Sequence, residues 1–247
     1  MSDKQVPVPK KETPVADYIS ELNKLTAQTV ETEKPSGMWV SFKGGMLSIG
    51  GNVQKGNKAK VVVVHSVFEN QLYKDRFDPN NPQSPTCYAI AENDEDLKPH
   101  KDVVNPVSPE GCAICPNNVW GSDPLGGKGK ACKNVRRLAL LSADDLDNLD
   151  KAEVAIAKLP VTSVKNWSTY ASQIANVLKL PPLAVITEMS VEPDPKTQFQ
   201  VNFSLIDKIT DGATIQGLLN KRKDVTPIMF SGYDQMQEAQ PQPNRKF

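Results

Sequence analysis

The sequence predicts a mainly β fold with a few helices, and three stretches carry that reading. Residues 60–68 (KVVVVHSVF) hold four consecutive valines, a run expected of a strand buried on both faces. Residues 199–206 (FQVNFSLI) alternate with period two, the mark of a half-buried antiparallel strand. Between Met38 and Asn52, short apolar runs are broken by glycine pairs and an asparagine, which predicts a hairpin or a sharply coiled strand. The 247 residues allow one large domain or two small ones. Hydrophobic residues make up 38%, enough for a core, while 20 prolines and a mean hydropathy of −0.43 assign much of the chain to loops.

Taken in order, residues 1–12 are polar and rich in Pro and Lys and read as a disordered arm. Thr13-Pro14 opens a helix over 13–27. Thr13 suits a cap and Pro14 the first turn, and Val15, Tyr18, Ile19, Leu22 and Leu25 share a face. That face either docks on the main body or binds a partner. The strands at 38–52 and 60–68 follow, then QLYKDRF and an Asp78-Pro79-Asn80-Asn81-Pro82 turn. Residues 84–134 show little regular pattern. A loop of that length needs something other than an apolar core to hold it. Beyond Arg137 come an apolar LALLS, a capped acidic helix start at Ser142, and a helix carrying Trp167, Tyr170, Ile174, Val177 and Leu178, stopped by Pro181-Pro182. Strands at 183–191 and 199–206, a short helix at 215–221 and a disordered tail at 234–247 complete the chain.

Charge excludes one class of function. Lys plus Arg is 29 and Asp plus Glu is 29, so the chain is no bulk polycation and any anion binding must come from a local patch. No apolar run reaches the ~20 residues that span a bilayer, and the N-terminus lacks the apolar core of a secretory signal. A cytoplasmic protein without membrane contact is expected.

The cysteines are the sharpest signal. Cys87, Cys112, Cys115 and Cys132 lie within 46 residues, and Cys112-Ala113-Ile114-Cys115 is a CxxC pair followed by Pro116. Such a pair brings two thiolates to one ion from a tight turn, and two further cysteines complete a tetrahedral site. Zn²⁺, ahead of an iron–sulfur cluster, would close the irregular segment by ligation. The absence of a secretory signal disfavours disulfides, and the polar, Pro- and Gly-rich surroundings disfavour four unrelated core cysteines. Either histidine is a candidate to replace a cysteine, and His100 lies inside the segment. Neither histidine is followed by the Glu of an H-x-E deaminase motif, and four thiolates leave no open position for water, so the site is read as structural.

Around Cys132 the stretch GGKGKACKNVRR carries Lys128, Lys130, Lys133, Arg136 and Arg137 with no acid, and its glycines would let backbone amides approach a phosphate. It is not a Walker loop, because no Ser or Thr follows Gly-Lys. Trp120 stands nearby and Tyr73 follows the valine strand. Single-strand binders pair a cationic groove with aromatic platforms of this kind. The five basic residues are the expected phosphate contacts, and Trp120 and Tyr73 the expected stacking residues. A solvated loop with ordinary lysines is the plain alternative.

The strand run at 39–49, the valine strand followed by QLYKDRFDPNNP, the segment CAICPNNVWGSDPLGGKGKACKNVRRL, and LPVTSVKNWSTYASQI before a late strand pair together resemble single-stranded DNA-binding proteins of tailed bacteriophages. The likeness is one of layout, over about residues 38–210. It implies an OB-like barrel at 38–233 with a zinc-stapled insertion at about 84–137. It also implies a non-enzymatic protein that coats exposed strands during replication and recombination in the host cytoplasm. Members of that group commonly end in an acidic tail, whereas this chain ends QEAQPQPNRKF, so partner recruitment shifts to the N-terminal arm and helix. Two rivals remain. One is a zinc-stabilised module that binds replication or transcription proteins; the other is a metal-dependent nuclease using acids such as Glu69, Asp75 and Asp78.

Overall fold

The computed structural model describes residues 15–32, 38–75, 83–124 and 126–233, with side chains of the first helix from 18 to 26 only. The arm at 1–12, the turn at 78–82 and the tail at 234–247 lie outside the described residues. Two units are present, Met1–Pro35 and Ser36–Phe247. The first holds α1 (Val15–Thr32), longer than the sequence indicates, with Tyr18, Ile19, Leu22 and Leu25 all exposed.

The second unit is built on one curled, half-barrel sheet, an arrangement that fits an OB-like barrel. Its strands are β1 (Met38–Ser41), β2 (Ser48–Ile49), β3 (Asn52–Val53), β4 (Lys58–Leu72), β5 (Cys87–Ala91), β6 (Lys133–Ser142), β7 (Val154–Leu159), β8 (Val185–Asp194) and β9 (Gln198–Lys208). The order is β3-β2-β1-β7-β6-β4-β8-β9, with β5 also on β4. All pairs are antiparallel except β1 with β7. β4 is central: its first four residues pair with β8, its last five with β5, and residues 61–71 with β6.

The valines of β4 are buried on both faces, as their sequence requires. Val61 and Val63 join a core under helix α2 (Val161–Gln173), which contributes Trp167 and Tyr170. Val62, Val64 and Val67 join a second core under helix α3 (Gly212–Met229), which contributes Leu218, Val225 and Met229. Each such side chain is worth roughly 1.5–3 kcal/mol of transfer free energy. A register shift between Val63 and His65 against β6 marks a bulge, which bends β4. α3 starts at Asp211, whose carboxylate accepts from the Thr214 amide at 2.7 Å. Among the described residues, no helix is long and apolar enough to cross a membrane.

Several elements differ from the sequence reading. β7 was not anticipated, because VAIAKL alternates weakly. The capped start at Ser142 makes only a 3₁₀ turn, Ala143–Asn148. α3 runs well past 221, through Pro227, and the segment at 84–134 contains β5.

On the α3 side, beyond the valines, the sheet buries charge. Arg137 and Glu69 are both fully buried and form a two-pronged pair, Nε to Oε2 at 2.8 Å and Nη2 to Oε1 at 2.9 Å. Arg137 Nη1 also donates to the carbonyl of Met229, the last residue of α3, and to that of Ser231 just beyond it. Glu69 accepts from the Tyr233 hydroxyl at 2.6 Å. Burial alone would push the Glu69 carboxyl up, but Arg137, Lys158 and Tyr233 outweigh it and hold it at about 2. The folded value lies below the ordinary 4.5, so this contribution is full above pH 4.5 and is lost as pH falls toward 2. Glu69→Ala strands the guanidinium and is expected to cost about 3–5 kcal/mol in urea unfolding at pH 7, with a smaller difference from wild type at pH 3.

Candidate metal centre and nucleic-acid face

The cysteine segment is mounted on the far end of β4 and β6. Pairing of β5 with β4 sets Cys87 opposite Leu72. Cys132 sits immediately before β6, its amide donating to the Asn117 carbonyl at 2.8 Å. Cys112 is tied through its amide to the Leu97 carbonyl at 2.9 Å, and the Cys115 amide closes the CxxC turn on the Cys112 carbonyl at 3.3 Å. Three asparagines fasten these pieces. Asn118 donates to the Cys112 carbonyl at 2.9 Å and accepts from Asn134 at 3.0 Å and from Lys130 at 3.1 Å; Asn134 in turn donates to Asn70.

The outcome is that all four cysteines line one cavity of about 20 Å³, together with Asn70 and Tyr88. All four are free thiols. Burial pushes the Cys132 thiol up to about 12, the neighbouring sulfurs Cys112, Cys115 and Cys87 add to the rise, and the Gln71 amide opposes it. Burial likewise raises Cys112 against the Asn70 amide, and Cys87 against the Val107 amide. The thiols of Cys87, Cys112 and Cys132 thus resist ionisation, chiefly through burial and further through their sulfur neighbours. Among the described residues, no three His, Cys, Asp or Glu side chains stand close enough together to hold a metal ion.

The donor set nevertheless fits a thiolate-loving cation such as Zn²⁺. Four thiols from three stretches of chain face one small cavity, and amides are directed at three of the sulfurs. Neither histidine lines this cavity. His100 stacks on Tyr88, shares a hydrogen bond with its hydroxyl at 3.1 Å and pairs through Nε2 with the Phe230 carbonyl. His65 is buried in the sheet with Nε2 3.4 Å from Glu92, and burial lowers its pKa.

The expected phosphate contacts divide. Lys128 is exposed. Lys130 is half-buried and holds its ammonium 5.6 Å from the centre of the Trp120 ring, which is 76% exposed. Lys133 is paired with Asp123 at 3.0 Å, an acid just upstream of the acid-free stretch. Arg136 lies on the Phe68 ring, 3.0 Å from its centre, and burial lowers its pKa to about 10, leaving it charged at neutral pH. Arg137 is corrected outright: its position on β6 turns it into the core, where Glu69 and two carbonyls occupy it, and no phosphate reaches it. Tyr73 is 37% exposed and donates to Gln71.

In the glycine loop one of the expected amides, that of Gly126, is already engaged. The Gly126 amide closes a turn on the Asp123 carbonyl, and the amides of Gly121 and Asp123 both point at the Gly129 carbonyl. These amides brace the loop from within. The asparagine brace and the Tyr88–His100 stack escaped the sequence reading; Asn117-Asn118 after the CxxC was the one local signal. Comparison with protein-family models, curated proteins and solved structures finds no match.

Proposed function

We propose that this chain binds single-stranded nucleic acid, without enzymatic activity, and that its cysteine segment is closed by Zn²⁺. The observation that carries the reading is Trp120, an exposed indole with Lys130 over its face and Lys128 on the same loop, on a segment braced to the sheet on several sides. A base stacks on the free indole face, worth about 1–3 kcal/mol, while the ammonium groups meet the flanking phosphates. Arg136 on Phe68, and Tyr73 at the end of β4, extend the same end of the sheet with further flat surfaces. When bound, Zn²⁺ supplies the positive charge that lets Cys87, Cys112, Cys115 and Cys132 ionise together. Replication and recombination on phage DNA is the setting that the sequence resemblance favours. A second reading rests on Val104, Ile114 and Val119, which are 89%, 71% and 56% exposed on the cysteine segment and suit a replication or transcription protein as partner.

Two experiments test these statements. Elemental analysis of the purified full chain is expected to find a single zinc ion per molecule, and Cys112→Ser with Cys115→Ser to lose it and lower the melting temperature. A zinc-free wild type with unchanged stability contradicts the metal assignment. Anisotropy of a labelled oligo-dT strand is expected to report binding far tighter than to a duplex of equal length. Trp120→Ala should weaken it roughly 5- to 150-fold. Equal affinity for duplex, or an unaffected Trp120→Ala, contradicts the single-strand reading.

A further inference from the structure

Between Lys34 and Glu69 the chain carries no acid, while lysines stand at 43, 55, 58 and 60. Two of them sit on turns of one design. Phe42-Lys43-Gly44-Gly45 and Gln54-Lys55-Gly56-Asn57 are each closed by a hydrogen bond from the fourth amide to the first carbonyl, 3.1 Å in both. The third residue is left-handed in both, Gly44 at φ 65°, ψ 22° and Gly56 at φ 66°, ψ 18°. The fourth residue follows suit, at φ 73° for Gly45 and 55° for Asn57. A glycine is needed for that backbone, yet nothing lies within 4 Å of a Cβ built on Gly44 or Gly56, so the space over both is open.

Asn57 bolts the turns together. Its Oδ1 accepts from the Leu47 amide at 3.3 Å and its Nδ2 donates to the Gly45 carbonyl at 3.1 Å, and Leu47 itself is fully buried in the core. Lys43 and Lys55 are exposed, and neither forms an ion pair among the described residues. β8 packs against both turns, but its carboxylates are engaged elsewhere: Glu188 with Lys58 at 2.8 Å, Glu192 with Ser190 and Asn202, and Asp194 with the turn through Thr197. Two exposed ammonium groups on rigid corners, without a carboxylate partner among the described residues, suit a polyanion. Register relates this point to the cysteine segment. Val40 of β1 pairs with Ala157, and β7 then pairs Ala157 with Leu138 and Leu159 with Arg136. β1 thus runs toward the row of Arg136, two strand spacings or about 10 Å away.

We propose that the twin lysine turns are a second phosphate-contact point for the same single strand, gripping its backbone where it leaves the cysteine segment. The inference rests on the single-strand reading above. The test uses the full chain and labelled oligo-dT over a salt series, with wild type beside Lys43→Ala/Lys55→Ala. Loss of two phosphate contacts should make the slope of log affinity against log salt shallower by about 1.4, at roughly 0.7 per contact on single strands. Acetylation of wild-type lysines read by mass spectrometry, which needs no variant, should show Lys43 and Lys55 protected by the strand. A wild type that binds no strand overturns the single-strand reading and this inference with it. A wild type that binds, with an unchanged slope in the variant and equal acetylation with and without strand, overturns this inference alone.

Discussion

The buried Glu69–Arg137 pair is the constraint on which the rest of the unit depends. It joins the two central strands, β4 and β6, at the point where the valine core ends and the cysteine segment begins. Taking both charges out of water is costly, and such a pair often stabilises no more than apolar side chains of equal volume. What it adds here is position. Through Arg137 it holds the last carbonyl of α3, and through Glu69 it holds Tyr233, which packs edge-on against Tyr88. Tyr88 in turn stacks on His100, and His100 pairs with the Phe230 carbonyl. The chain after α3 therefore threads between the sheet and the cysteine segment. At Gly232 a Cβ would stand 2.5 Å from the Asp102 carboxylate and 2.7 Å from the Tyr88 hydroxyl, so a larger residue has to displace both side chains.

This clamp works on one face of the far end of the sheet, and the sulfur cavity on the other. Asn70, Asn134 and Phe68 alternate with Glu69 and Arg137 along the strands, so the two faces carry separate fastenings. The cysteine segment gains its place from β5 pairing, from the asparagine brace and from the Tyr88 stack before any metal is considered. A cation in the cavity would finish a structure whose outline is already set by hydrogen bonds. Trp120 and its lysines are carried outward on a loop braced through Asn118 and Ser122.

Much of the framework was legible because its signals are local. Four valines in a row, the period-two FQVNFSLI and the Pro-Pro stop after the second helix each declare themselves within a few residues. β7 did not, since VAIAKL becomes a strand only by lying between β1 and β6. The CxxC and its polar surroundings also marked out the cysteine segment, whose four thiols line one cavity, although among the described residues no three such side chains stand close enough to hold a metal ion. The fate of the basic stretch was not legible. Arg136 and Arg137 are adjacent in sequence, and the alternation of β6 sends one onto Phe68 and the other into the core. Asp123 neutralises Lys133 from outside the acid-free run, and Asn57 joins two lysine turns twelve residues apart, neither of which a linear reading displays.

The central claim is that the braced cysteine segment presents the strand-binding face. Hydrogen–deuterium exchange of the full chain, with and without saturating oligo-dT, tests it most directly. The account predicts protection concentrated at residues 118–136, with the core strands unchanged. Protection confined to other parts of the sheet or to the surface of α3, or none at a strand concentration that saturates binding, would contradict it.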